Sequence, residues 1–137
     1  MSTAAVSPAQ VPERGWRNDI VAALFWLLTV VGVLMMTGAW FLLASASLEE
    51  GTEQPKALAA GSTMAGTTLL LGVAPLVFAH IAGFALLCLV ATTGRFDRFR
   101  GVLWAGGAVV GASLIGLAVV LVLSGGQLLY TPPDYVP

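Results

Sequence analysis

Ile20–Ala46 reads IVAALFWLLTVVGVLMMTGAWFLLASA, 27 consecutive residues without a charged side chain. A hydrocarbon core about 30 Å thick is crossed by roughly 20 apolar residues in helical form. This segment is long enough to span a membrane at a tilt. Two more runs without Asp, Glu, Lys or Arg follow, from about Ser62 to Thr93 and from about Val102 to Leu123. The predicted fold is an all-α membrane protein with three transmembrane helices, over about 20–46, 62–93 and 102–123. The second run holds Gly66, Gly72, Pro75 and Gly83. About 30 helical residues measure roughly 45 Å, so it is expected to tilt, to kink at Pro75 or to project from the membrane.

Composition points the same way. Of 137 residues 58% are hydrophobic and only 9% charged, with a mean hydropathy of +0.91. Too few charged side chains exist to cover a soluble domain of this size. The net charge of −1 rests on six basic and seven acidic residues, which cannot build a basic patch, so no nucleic-acid partner is expected. Cys88 is the only cysteine, which excludes an internal disulfide and a thiolate metal cage within one chain.

The segments outside the spans are polar. Residues 1–19 form a Ser/Thr/Ala/Pro-rich arm ending in a charged turn, expected to be disordered and cytoplasmic. Ser47–Gly61, with Glu49, Glu50, Glu53, Pro55 and Lys56, reads as a loop. Residues 124–137, with Pro132, Pro133 and Pro137, read as a Pro-rich external tail and not as a fourth helix. Arg14 and Arg17 precede the first span, Arg95, Arg98 and Arg100 lie between the second and third, and the opposite side has only Lys56. Positively charged loops stay in the cytoplasm, so these five arginines predict a cytoplasmic N-terminus and an external C-terminus. Trp16, Phe96, Phe99 and Trp104 then fall near the inner interface, and Trp40 and Tyr130 near the outer one, as belt aromatics, with Trp26 deeper. Ala44-Ser45-Ala46 has the small-x-small form of a signal-peptidase site, but the apolar stretch before it far exceeds the roughly 7–15 residues of a signal-peptide core, so a retained anchor is expected.

Inside the spans chemistry is sparse. His80 sits near the middle of the second span, and an ionisable group at that depth is a functional hypothesis by default. It could ligate a haem, relay a proton or hydrogen-bond to a neighbouring helix. The chain offers no second histidine and no intramembrane Asp or Glu, so the first two roles require a partner's ligand. A neutral, hydrogen-bonded packing histidine is the expectation, with cofactor binding as the alternative. No cofactor or metal is otherwise implied: Glu49, Glu50 and Glu53 read as a solvated face, and Cys88 as a small buried hydrophobe.

The third span is rich in small residues. Gly107 and Gly111 form a GxxxG pair, and Ala108, Ala112 and Gly116 repeat at i, i+4 and i+8. Such faces let backbones approach, a main source of helix pairing in lipid. They are expected to serve internal packing, with Ala79 and Gly83 of the second span as the matching surface, or else docking of a partner. The expected function is non-enzymatic: an accessory or scaffolding subunit of a bacterial inner membrane, packing in the bilayer against other membrane proteins or its own copies. A redox or proton-handling anchor using His80 with a partner's ligand is the alternative, and a holin-like pore former is a third. The low lysine content with abundant Ala, Gly, Val and Leu carries the bacterial assignment.

Overall fold

The computed structural model describes residues 13–93 and 97–131, with side chains from Asp19 onward. Arg95, most of the N-terminal arm and the Pro-rich end of the tail lie outside the described residues, as do the side chains of Arg14 and Arg17. Three helices form one bundle: α1, Glu13–Ala59; α2, Ala74–Thr93, entered through a π-helical stretch at Thr68–Val73; and α3, Arg98–Leu123. No strand occurs among the described residues. All three helices are long and apolar enough to cross a membrane, and the chain is an all-α, multi-pass membrane protein.

The helix boundaries correct the sequence reading in three places, the first being that residues 62–66, read as the start of the second span, are non-helical and the span begins at Thr68. Glu13–Asp19, read as part of a disordered arm, forms the first turns of α1. Ser47–Ala59, read as a loop, continues α1 to a length of 47 residues. At 1.5 Å per residue this helix measures about 70 Å, more than twice a hydrocarbon core, so it extends well beyond the span as a polar rod. Pro55 inside it removes one backbone donor, and tertiary contacts hold the rod in spite of that. Tyr130 lays its ring where a side chain on Gly51 would stand, and its N–H donates to Ser47 Oγ at 3.0 Å. Lys56 pairs with Glu53 one turn away at 2.7 Å.

Both long helices that end in glycine close by the same device. Ser62 N–H reaches back to Ala57 O and Gly61 N–H to Leu58 O, with Gly61 at φ 76, where a glycine avoids the Cβ clash. At the end of α3, Gly126 bonds to Leu121 O and Gly125 to Val122 O. The chain after α3 then turns back over α1 as a non-helical segment through Thr131, without a fourth helix among the described residues.

One glycine marks the close approach of each helix pair. A Cβ on Gly116 of α3 would stand 2.8 Å from the Thr37 nitrogen and 2.9 Å from the Met36 carbonyl carbon of α1. One on Gly72, in the π-helical stretch, would stand 2.9 Å from Leu43 Cα of α1. One on Gly101 of α3 would stand 3.3 Å from the backbone of Ala91 in α2. Backbones meet directly at these points, which is how helices gain van der Waals contact in lipid. The buried core lies between them: Phe25 and Met36 from α1, Leu87 and Ala91 from α2, and Ala105, Val109 and Ala112 from α3.

Candidate functional site

The buried face of α3 is Gly101, Ala105, Val109, Ala112, Ser113, Gly116 and Val120, spaced by three or four residues as one helical stripe. Ser113 is the polar member of that stripe, and it meets both other helices. His80 Nε2 lies 2.9 Å from Ser113 Oγ, and Trp40 Nε1 donates to the same oxygen at 3.1 Å. His80 Nδ1 lies 2.7 Å from the carbonyl oxygen of Leu76, one turn earlier in α2.

The direction of every bond in this chain follows from its ends. A carbonyl oxygen only accepts, so His80 Nδ1 carries the proton and donates to Leu76 O; in the neutral ring Nε2 is then an acceptor. Trp40 Nε1–H only donates, so Ser113 Oγ accepts from it and turns its own hydrogen to His80 Nε2. Trp40 to Ser113 to His80 to Leu76 is a complete, one-way relay of donors. It ties α1, α3 and α2 together at one level, and no buried side-chain polar atom among the described residues is left without a partner.

The packing role expected for His80 thus has a geometry, and both ring nitrogens are engaged inside the bundle. Sequence reading missed its two partners. Ser113 stands in neither small-residue motif of the third span, and Trp40, expected as a belt aromatic, points its indole N–H into the bundle. Trp26 is 59% exposed and stacks edge-on against Phe25, with ring centroids 5.8 Å apart.

The small-residue faces divide. Gly116 and Ala112 are buried, and Ala108 and Ala79 pack against the core. Gly83 faces Met36 and Val109 at 3.7 and 3.8 Å from its would-be Cβ. Gly107 and Gly111 do not join them: neither has any atom within 4 Å of that position. Nine residues are two and a half helical turns, so Gly107 stands diametrically opposite Gly116. The expectation that the GxxxG pair packs inside the chain is corrected: it lies on the outer face of α3. Between α1 and α2 a cleft of about 590 Å³ opens at the bundle's perimeter, with Ala108, Val109 and Ala112 of α3 at its floor.

At the end of the bundle that carries the α1 rod, Glu50 clips the chain entering the second span. Its carboxylate accepts N–H bonds from Thr68 at 2.7 Å and Gly66 at 3.2 Å. Gln54 accepts from Met64 N–H at 2.6 Å. The bonds from Thr68, then that from Gly66, hold the Glu50 carboxyl below the usual glutamate range. A lowered folded-state value means that this clip contributes its full stability above the unfolded value of about 4.3 and loses it as pH falls through the folded one. Protease protection of the 60–67 connector should therefore weaken on acidification below about pH 4.3, and Glu50→Gln should remove that part of the pH dependence while lowering protection at neutral pH. At the opposite end, Arg98 and Arg100 lie exposed on the first turn of α3, further along the helix than the connector assigned to them. Among the described residues no group of three His, Cys, Asp or Glu side chains is placed to hold a metal ion.

No protein-family model, no curated protein and no solved structure matches the chain.

Proposed function

We propose that the protein is a non-enzymatic accessory or scaffolding subunit of a bacterial inner membrane that docks through the outer face of α3. The observation that carries this reading is the position of Gly107 and Gly111. The chain spends Gly72, Gly101 and Gly116 on its own helix contacts, while an equally small face of α3 has nothing against it. A small-residue groove open to lipid suits another helix, from a second copy or from a different membrane protein. A redox or proton-handling role for His80 requires its Nε2 to leave Ser113 for a partner's ligand, so the relay supports the packing role instead.

Replacing Gly107 and Gly111 together by leucine tests this. Both sites are open, and leucine is the better helix former by up to about 1 kcal/mol per site, so the monomer should insert and keep its thermal stability. The self-association or the co-purifying partner seen with the unaltered protein in mild detergent should be lost. Retention of every partner and of the oligomeric state would remove α3's outer face from the proposal.

The orientation is proposed from Arg14, Arg17, Arg95, Arg98 and Arg100 against Lys56. A reporter active only in the cytoplasm should work when fused after Arg100 and stay silent after Pro137, and the reverse pattern would invert the topology.

A further inference from the structure

The rod at Ser47–Ala59 contains the two residue types that least favour a helix, in Gly51 and Pro55. Pro55 also leaves the Gly51 carbonyl without its α-helical donor. The rod's helical order therefore depends on what grips it from outside. The connector holds Glu50, which accepts from Thr68 and Gly66 N–H, and Gln54, which accepts from Met64 N–H and donates to Thr63 Oγ. The chain after α3 holds the neighbouring pair, one turn apart: Tyr130 rests its ring on Gly51 and gives its N–H to Ser47 Oγ at 3.0 Å.

These two grips differ in kind. The connector is tied down by several bonds along its length, whereas among the described residues the Tyr130–Ser47 bond is the one hydrogen bond between residues 125–131 and α1. From Gly125 to Leu129 every residue but Leu128 is exposed. A space of about 330 Å³ lies beneath this segment, with Phe41, Leu48 and Leu123 on the helix side and Gln127 and Leu129 on the other, so it is not packed flush and gains little van der Waals contact before Tyr130. Where the segment leaves α3, Gly125 at φ 64 and Gly126 at φ 90 follow one another, in a region that only glycine enters freely. It has a hinge at one end and a latch of one residue at the other.

We propose that residues 125–131 are a hinged strap that switches the rod: with Tyr130 seated on Gly51 the rod is helical, and with the strap lifted about Gly125–Gly126 it loses helical order. Gly51 is the receiving half of the latch, because any side chain there would stand in the Tyr130 ring. Lifting the strap uncovers the buried Ser47 hydroxyl, which water then satisfies, so opening strands no polar group. The switch uses neither the outer face of α3 nor the Trp40–Ser113–His80 relay, and it stands independently of the docking role proposed for α3.

The test reads amide hydrogen exchange of the full chain in lipid nanodiscs. Tyr130→Ala should speed exchange over residues 48–54 roughly tenfold while residues 25–45 and 105–120 keep their protection. Tyr130→Phe keeps the ring and should behave as the unaltered protein. Gly51→Ala should free the Tyr130 amide, since its methyl takes the ring's place, yet leave the rod protected, because alanine is the best helix former and glycine among the worst. For the same reason, adding Gly51→Ala to Tyr130→Ala should restore the protection of the rod. Rod exchange unchanged by Tyr130→Ala, a loss that spreads through the bundle core, a Gly51→Ala protein whose Tyr130 amide stays protected, or a double variant no better protected than Tyr130→Ala would each overturn the proposal.

Discussion

Gly116→Leu should cost about 3 kcal/mol of bundle stability, the largest effect of any single substitution in α3. Overpacking costs about 1–3 kcal/mol when side chains can yield, but here the first atom of the new side chain meets backbone, at 2.8 Å from Thr37 N and 2.9 Å from the Met36 carbonyl carbon. Backbone in the middle of a 47-residue helix cannot rotate aside, so α1 and α3 must separate. Insertion should be unharmed, because leucine favours the membrane more than glycine does. Thermal unfolding in mild detergent checks this, with the Gly107→Leu, Gly111→Leu protein as the internal control of the same chemistry on the opposite face. A Gly116→Leu protein as stable as the unaltered one would place the α1–α3 contact elsewhere.

Ser113→Ala is the second large effect expected, about 1–3 kcal/mol. The change is close to isosteric and leaves no cavity worth the name, so its cost lies in the groups it orphans: Trp40 Nε1–H loses its acceptor and His80 Nε2 its donor. Single interhelical hydrogen bonds in membranes average about 0.6 kcal/mol and reach about 1.7, and this substitution breaks two. His80→Leu breaks the bond to Ser113 but leaves that of Trp40 intact, and should cost less, while His80→Gln should keep a hydrogen-bonding group near the ring's position and stay close to the unaltered protein. The ranking Ser113→Ala above His80→Leu above His80→Gln, read by the same unfolding measurement, is specific to a relay with serine in its middle.

The three-span architecture was legible because membrane thickness imposes a length on each apolar run, and charge interrupts those runs only at their ends. Which face of each helix turns inward was not. In a soluble bundle a polar face would mark the outside, but α3 is apolar all round, since lipid and core ask for the same side chains. The Gly107/Gly111 pair and the Ala108/Ala112/Gly116 repeat therefore looked alike in sequence, and only the second packs inside. Gly72 and Gly101 stood in no repeat at all, and what makes them contact points is the crossing of helices far apart in the chain. The rod at Ser47–Ala59 was hidden for the opposite reason: Gly51, Pro55 and three glutamates are local signals for a loop, and they are overruled by Tyr130, Thr68 and Met64, which arrive from later in the sequence. His80 announced that it needed a partner, but the spacing of 33 residues to Ser113 carries no periodic signal.

Trp40, Ser113 and His80 join the three helices through two hydrogen bonds inside the membrane. His80 is the only histidine, so nitrogen-15 labelling of histidine gives a single ring to read by NMR in the reconstituted protein at mildly alkaline pH. The expected spectrum is a neutral ring protonated at Nδ1, with Nε2 bare and accepting a hydrogen bond that disappears in the Ser113→Ala protein. A ring protonated at Nε2, or one whose signals ignore Ser113→Ala, would contradict the relay.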